Sequence, residues 1–176
     1  MTEPVFFDTD CLSSFLWVNE QGILGNLFGG RLIVSMEVYN ELSNPSTRHL
    51  KKRVDKMVKN GDIQIGTIKA DTVEYELFNK MINPVETGQR AIGRGEASAI
   101  ALAKEQTGIV ASNNLRDIKQ YVKDFELTNL TTADILKEAY DNGLITEVDG
   151  NRIWAQMIKR RRKLGYPTFT DFLKKC

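Results

Sequence analysis

Pro4-Val5-Phe6-Phe7-Asp8-Thr9-Asp10-Cys11-Leu12 is the stretch on which the fold turns. Val5-Phe6-Phe7 offers no polar face, which is how a strand buried on both sides of a parallel sheet reads. The run stops abruptly at Asp8. Leu12, Phe15, Leu16 and Trp17 follow at near-helical spacing, so a helix starts near Asp10, the expected cap. In open α/β sheets, sites form outside the carboxyl ends of the strands. Asp8 is at such an end.

The pattern recurs along the chain. Leu32-Ile33-Val34 is a second apolar run, with Ser35 as N-cap and Val38, Tyr39 and Leu42 on one helical face before Asn44-Pro45. A basic amphipathic helix from His49 to Lys59 carries the stripe Leu50, Val54, Met57 and Val58, and Gly61 stops it. Ile63, Ile65 and Ile68 predict a short strand, and Thr72 to Met81 a helix closed by Asn83-Pro84. Val85 to Gly95 reads as loop, Glu96 to Gln106 as an Ala-rich helix able to lie close to a sheet. Ile109-Val110-Ala111 is a third buried strand, followed by the turn Ser112-Asn113-Asn114 and a helix carrying Ile118, Tyr121, Val122 and Phe125. Leu127 to Leu130 predicts a further strand, and Thr132 caps a helix from Ala133 to Tyr140. Gly22, Gly25, Gly29 and Gly30 predict a loop-rich connection near the start. Short strands alternating with helices of about 10–15 residues predict an α/β fold, a central, mostly parallel sheet with helices on both faces. One domain is expected over 1–176, with a C-terminal helical extension over about 148–176.

Composition narrows the chemistry. The 176 residues hold 24 Lys+Arg, 23 Asp+Glu and one His, a net charge of +1, so bulk charge alone does not suit the chain to nucleic acid. Cys11 and Cys176 make neither a disulfide framework nor a Cys-based zinc site. With His49 alone, a site needing two His ligands is excluded. The N-terminal residues show no basic targeting region, and no apolar run is long enough to span a bilayer. The expectation is a soluble cytoplasmic protein with no membrane partner.

Acids mark the strand ends. Asp8 follows the first strand, Glu37 and Glu41 lie on the helix after the second, and Asp117 follows the third and its Asn113-Asn114 turn. Glu96 opens the Ala-rich helix after Gly93-Arg94-Gly95. Singly, each reads as a cap, a first-turn acid or a solvated surface group. Together they bring several carboxylates to one end of a sheet, where mutual repulsion raises their pKa values unless a cation is bound. Hard divalent ions take oxygen ligands and need no His.

These residues resemble the PIN domain, the nuclease fold of toxins in VapBC-type toxin–antitoxin pairs and of related prokaryotic proteins. Val5-Phe6-Phe7-Asp8-Thr9-Asp10-Cys11-Leu12 resembles its opening strand, and Val38-Tyr39-Asn40-Glu41-Leu42 its second motif. Gly95-Glu96-Ala97-Ser98-Ala99-Ile100-Ala101-Leu102-Ala103 is similar to the third motif of one PIN branch and is the most specific piece. Ser112-Asn113-Asn114-Leu115-Arg116-Asp117-Ile118 is close to a variant fourth motif, where many members carry an Asp pair instead of Asn113-Asn114.

The resemblance implies a three-layer α/β/α fold and metal-dependent phosphodiester cleavage, usually of RNA. It makes Asp8, Glu41, Glu96 and Asp117 the catalytic acids. Asp8, Glu96 and Asp117 would hold Mg²⁺ or Mn²⁺, with Asp10, Ser112 and Asn114 contacting substrate or the ligands. A small antitoxin partner and a homodimer are family-level expectations. Two rivals stand beside this reading. Asn113-Asn114 suits a catalytically degenerate PIN domain acting by binding. Phe6-Phe7-Asp8-Thr9-Asp10 resembles the opening of haloacid-dehalogenase-type phosphatases, with Asp8 as nucleophile and Asp10 as general acid. Lys159-Arg160-Arg161-Arg162-Lys163 is read on a helix whose stripe is Ile153, Trp154, Met157 and Ile158, either as a solvated face, a phosphate-contacting edge or a surface for an acidic partner segment. His49 is read as a surface residue.

Overall fold

A computed structural model describes residues 2–84 and 90–176. Among these, strands and helices alternate as β1 (Val5–Phe7), α1 (Thr9–Trp17), α2 (Gln21–Phe28), β2 (Leu32–Ser35), α3 (Met36–Glu41), α4 (Arg48–Asn60), β3 (Ile63–Gly66), α5 (Val73–Ile82) and α6 (Arg94–Glu105), followed by β4 (Ile109–Ala111), α7 (Leu115–Asp124), β5 (Thr128–Leu130), α8 (Thr132–Asp141), α9 (Glu147–Lys159) and α10 (Phe169–Leu173). The strands form one sheet in the order β3-β2-β1-β4-β5, and every pairing is parallel. The three continuous apolar runs of the sequence are its three inner strands.

Alternation along those strands builds two cores. Val5, Phe7, Leu32, Val34, Ile109 and Ala111 face one layer, which draws on α1, α2, α3, α4, α8, α9 and α10. Phe6, Val110 and the half-buried Ile33 face the other, formed by α5, α6 and α7. The expected three-layer α/β/α arrangement is therefore present. The Ala-rich face of α6 buries Ala97, Ile100, Ala101 and Leu102, and small side chains let this helix approach the sheet closely. No helix among the described residues is long and apolar enough to cross a membrane.

Chain direction sets where ligands can reach. β1 leads to β2 on one side, and the later strands β4 and β5 are added on its other side. The strand order thus reverses between β1 and β4, and a crevice opens outside their carboxyl ends. Asp8 leaves β1 there, and Ser112 leaves β4.

The structure corrects several local expectations. The glycine-marked connection contains helix α2, because Ile23, Leu24 and Phe28 bury a common face and outweigh the propensity cost of Gly22 and Gly25. Asp8, not Asp10, caps α1, its side chain accepting from the Cys11 N–H. Thr131, not Thr132, caps α8. The Ala-rich helix starts at Arg94, two residues before Glu96. Val58 and Ile158, assigned to apolar stripes, are exposed. Beyond Lys159 the basic run is not helical: α9 ends there, and Arg161 turns the chain with φ 61°. Of the loop expected over Val85–Gly95, 85–89 lie outside the described residues. His49 is exposed, as expected, with its ring edge-on to Trp17 at 4.8 Å.

Candidate active site

Asp8 is the centre of the crevice. Its backbone N–H extends the β1–β4 ladder by donating to Ala111 O at 3.0 Å. Its Oδ1 accepts from Cys11 N at 2.7 Å, while Oδ2 is buried and has no hydrogen-bond partner. The residue is 1% exposed. Burial pushes its carboxyl up to about 7 from an ordinary 3.8, and the charges of Asp10 and Glu96 push the same way. The nearby Ser112 hydroxyl and the Cys11 N–H offset part of this, although neither closes a hydrogen bond on Oδ2. The same burial, with Asp8 adjacent, raises the Cys11 thiol well above its usual value, so Cys11 is a packing residue and not a nucleophile.

Glu41 and Glu96 both hydrogen-bond at the start of α6. Glu41 Oε1 accepts from the Gly95 N–H at 3.0 Å, and Oε2 accepts from the Thr9 hydroxyl. That N–H is one of the unpaired donors of a helix start, which favour a carboxylate. Gly95 makes the approach possible: a Cβ there would lie 2.8 Å from Thr9 Oγ1 and 3.0 Å from Glu41 Oε2. Ser35 and Ser98 hold the turn from below, their hydroxyls 2.7 Å apart, with Ser98 Oγ donating to Gly95 O at 2.8 Å. Glu96 is the third residue of α6, and its Oε2 accepts from the Gly93 N–H at 3.1 Å.

The two asparagines organise the remaining acids. Asn114 Nδ2 donates to Glu96 Oε1 at 2.7 Å and to Asp117 Oδ2 at 2.9 Å. Its backbone N–H donates to Ser112 Oγ at 3.2 Å. Asn113 Nδ2 donates to Asp10 Oδ2 at 2.9 Å, and its Oδ1 accepts from the Thr132 N–H at 2.8 Å. Arg162 NH1 donates to the other Asp10 oxygen at 2.8 Å.

Six of the seven residues predicted for the site, Asp8, Asp10, Glu41, Glu96, Ser112 and Asn114, are thus gathered around the carboxyl ends of β1, β2 and β4. Asp8, Asp10, Glu41 and Glu96 share one cleft of about 170 Å³ with Thr9 and Gly93. Asp117 is the exception. It reaches the group through Asn114 but lines a neighbouring cleft with Ile92, Arg116 and Tyr121. Among the described residues no three acidic, His or Cys side chains are close enough together to ligate one ion. Asn114 occupies the space between Glu96 and Asp117, and both Glu41 oxygens are already engaged. Glu37 is not part of the group. Reading the sequence missed Thr9, Gly95 as the donor to Glu41, and the pairing of Arg162 with Asp10, which spans 152 positions and leaves no local sequence signal.

Against known proteins, the chain matches the model of the PIN-domain family DUF3368 over residues 4–176, and it belongs to that family. No curated protein matches it. PIN domains are nuclease-type proteins. The match is to the PIN-domain model and not to a haloacid-dehalogenase-type phosphatase.

Proposed function

We propose that this PIN domain is a metal-dependent endoribonuclease whose site is centred on Asp8 and Glu96. The observation that carries the reading is the buried Asp8 Oδ2, an acceptor in the acidic cleft that no protein group satisfies. The donor set around it is oxygen throughout, which suits Mg²⁺ or Mn²⁺. Asp8 and Glu96 would hold the ion directly, with Asp117 completing its surroundings by way of Asn114. When bound, such an ion supplies Lewis-acid stabilisation of charge on a phosphate and activates water for attack.

The protein's own groups do the rest. Glu41, clamped by Thr9 and the Gly95 N–H, presents a fixed carboxylate that orients water in the cleft. Asn114, held by Ser112 through its backbone, sets the Glu96 carboxylate. Asp10, charge-compensated by Arg162, borders the path to the cleft without adding a free negative charge. In a toxin-type version of this reading a small antitoxin covers the site and the protein acts as a homodimer.

The test is a panel of labelled RNAs with Mg²⁺, Mn²⁺ or chelator. Wild type cleaves with metal and not in chelator, and Glu96→Gln loses roughly 100-fold or more. Undiminished metal-dependent cleavage by a clean Glu96→Gln preparation would sink the proposal. One observation favours a second reading, a non-catalytic binding domain: the asparagine amides already satisfy acids that would otherwise converge on a cation. It predicts RNA or partner binding with no cleavage by wild type under any metal condition.

A further inference from the structure

Leaving the helix changes what the basic run faces. After α9, the Arg162 N–H donates to Met157 O at 3.0 Å and the Arg161 N–H to Ile158 O at 2.8 Å. This pair of bonds is the reversal that usually ends a helix on a left-handed glycine. Here the left-handed residue is Arg161, φ 61°, although a side chain bearing Cβ is disfavoured in that region. Asn19, Thr107 and Glu126 take the same left-handed conformation after α1, α6 and α7, so what sets this turn apart is its charge and its place beside the acidic cleft.

The reversal takes three consecutive cations off helical spacing and sets Arg161, Arg162 and Lys163 along one wall of a cleft of about 380 Å³. Asp10, Glu96, Asn113 and Asn114 line the same cleft, and Asp10 and Glu96 also line the Asp8 cleft, so the two adjoin. Arg162 is committed: it is paired with Asp10 at 2.8 Å, and its side chain is only 22% exposed. Arg161 and Lys163 are exposed and form no ion pair among the described residues. An anion entering this cleft therefore meets two cations that no carboxylate among the described residues compensates.

We infer that the Arg161–Lys163 turn is a subsite for a backbone phosphate of single-stranded RNA, next to the phosphate that is cut. Arg161 and Lys163 make the contacts, and Arg162 is the positioning residue that ties the turn to Asp10. This rests on the ribonuclease reading of the adjoining site. The mixed character of the cleft favours RNA over an acidic protein segment. Successive phosphates can lie one on the cations and the next at the carboxylate site. A run of Asp or Glu would instead meet Glu96.

The experiment is fluorescence anisotropy of a labelled single-stranded RNA in chelator, as a function of salt, with wild type and an Arg161→Gly, Lys163→Gln double variant. Glycine suits the left-handed position, so the thermal midpoint of the variant is not expected to fall. Its Kd rises roughly ten- to thirty-fold at 0.1 M salt, and the slope of log affinity against log salt falls by about 1.4, the value for two lost phosphate contacts on a single strand. Lys51→Gln with Lys52→Gln, an equal charge change on α4, stays within about twofold. The subsite is refuted if the double variant binds like wild type, if the α4 control loses as much, or if an oligoglutamate peptide binds the turn more tightly than RNA. Wild type that cleaves RNA alongside an unaffected double variant refutes the subsite alone. Wild type that never cleaves with Mn²⁺, alongside a weakened double variant, refutes the nuclease reading and leaves the RNA-binding turn. Wild type that binds no RNA refutes both.

Discussion

Asp8→Asn makes the metal-free protein more stable above neutral pH while removing its cleavage of RNA. The Asp8 carboxyl has a folded-state pKa of about 7 against an ordinary 3.8, mainly because it is buried. Below the lower value both folded and unfolded chains keep the proton, and burial of the neutral acid is not penalised. Between the two values the unfolded chain gives up its proton first, so this residue's contribution falls as pH rises. Above about 7 the native state carries a buried charge. Asn is neutral throughout and can still accept from the Cys11 N–H. We expect Asp8→Asn to be on the order of 3 kcal/mol more stable than wild type at pH 8 and nearly equal at pH 3.5, by urea unfolding in chelator. Cleavage should drop by roughly a thousandfold. Equal stabilities at pH 8 would mean that Asp8 is not a strained, uncompensated acid.

The second large effect lies far from the chemistry. Trp154 is fully buried, stacked on Phe172 at 5.7 Å and tilted against Phe169 at 5.8 Å. Its Nε1–H donates to Tyr166 O at 3.0 Å, so one side chain joins α9 to the segment that leads into α10. Gly150, one turn earlier, lets this contact close: a Cβ there would lie 2.2 Å from the Phe169 ring. Trp154→Ala leaves a large cavity and an unpartnered carbonyl, and should cost about 3–5 kcal/mol. The Arg161–Lys163 turn lies within the stretch that Trp154 staples, so RNA affinity should weaken in the same variant. Trp154→Phe, which keeps the stacking, should cost clearly less. A loss below about 1 kcal/mol for Trp154→Ala would show that the C-terminal segment is not held through this residue.

How much of this was legible follows from the range of the interactions involved. Val5–Phe7, Leu32–Val34 and Ile109–Ala111 announce inner strands because burial on both faces leaves no room for polar residues. The acids at their ends were legible for the same reason, since chain direction puts the residue after each strand in the crevice. α2 was not legible: its glycines carry a loop signal, and only packing of Ile23, Leu24 and Phe28 overrides it. The end of α9 was hidden because Arg161 occupies a position where glycine is the usual signal. Asp117 was legible as an acid after a strand, but its separation from Asp8 depends on where the Asn114 amide points. The Asp10–Arg162 pair joins distant parts of the chain and leaves no local pattern at all.

The central claim is that Asp8 and Glu96 hold a divalent cation on which RNA cleavage depends. Calorimetric titration of Mn²⁺ into wild type and Asp8→Asn at pH 7.5 tests it most directly. The account predicts saturable binding to wild type and none to Asp8→Asn, whose fold is intact and more stable. Equal binding by both proteins, or binding by neither, would contradict it.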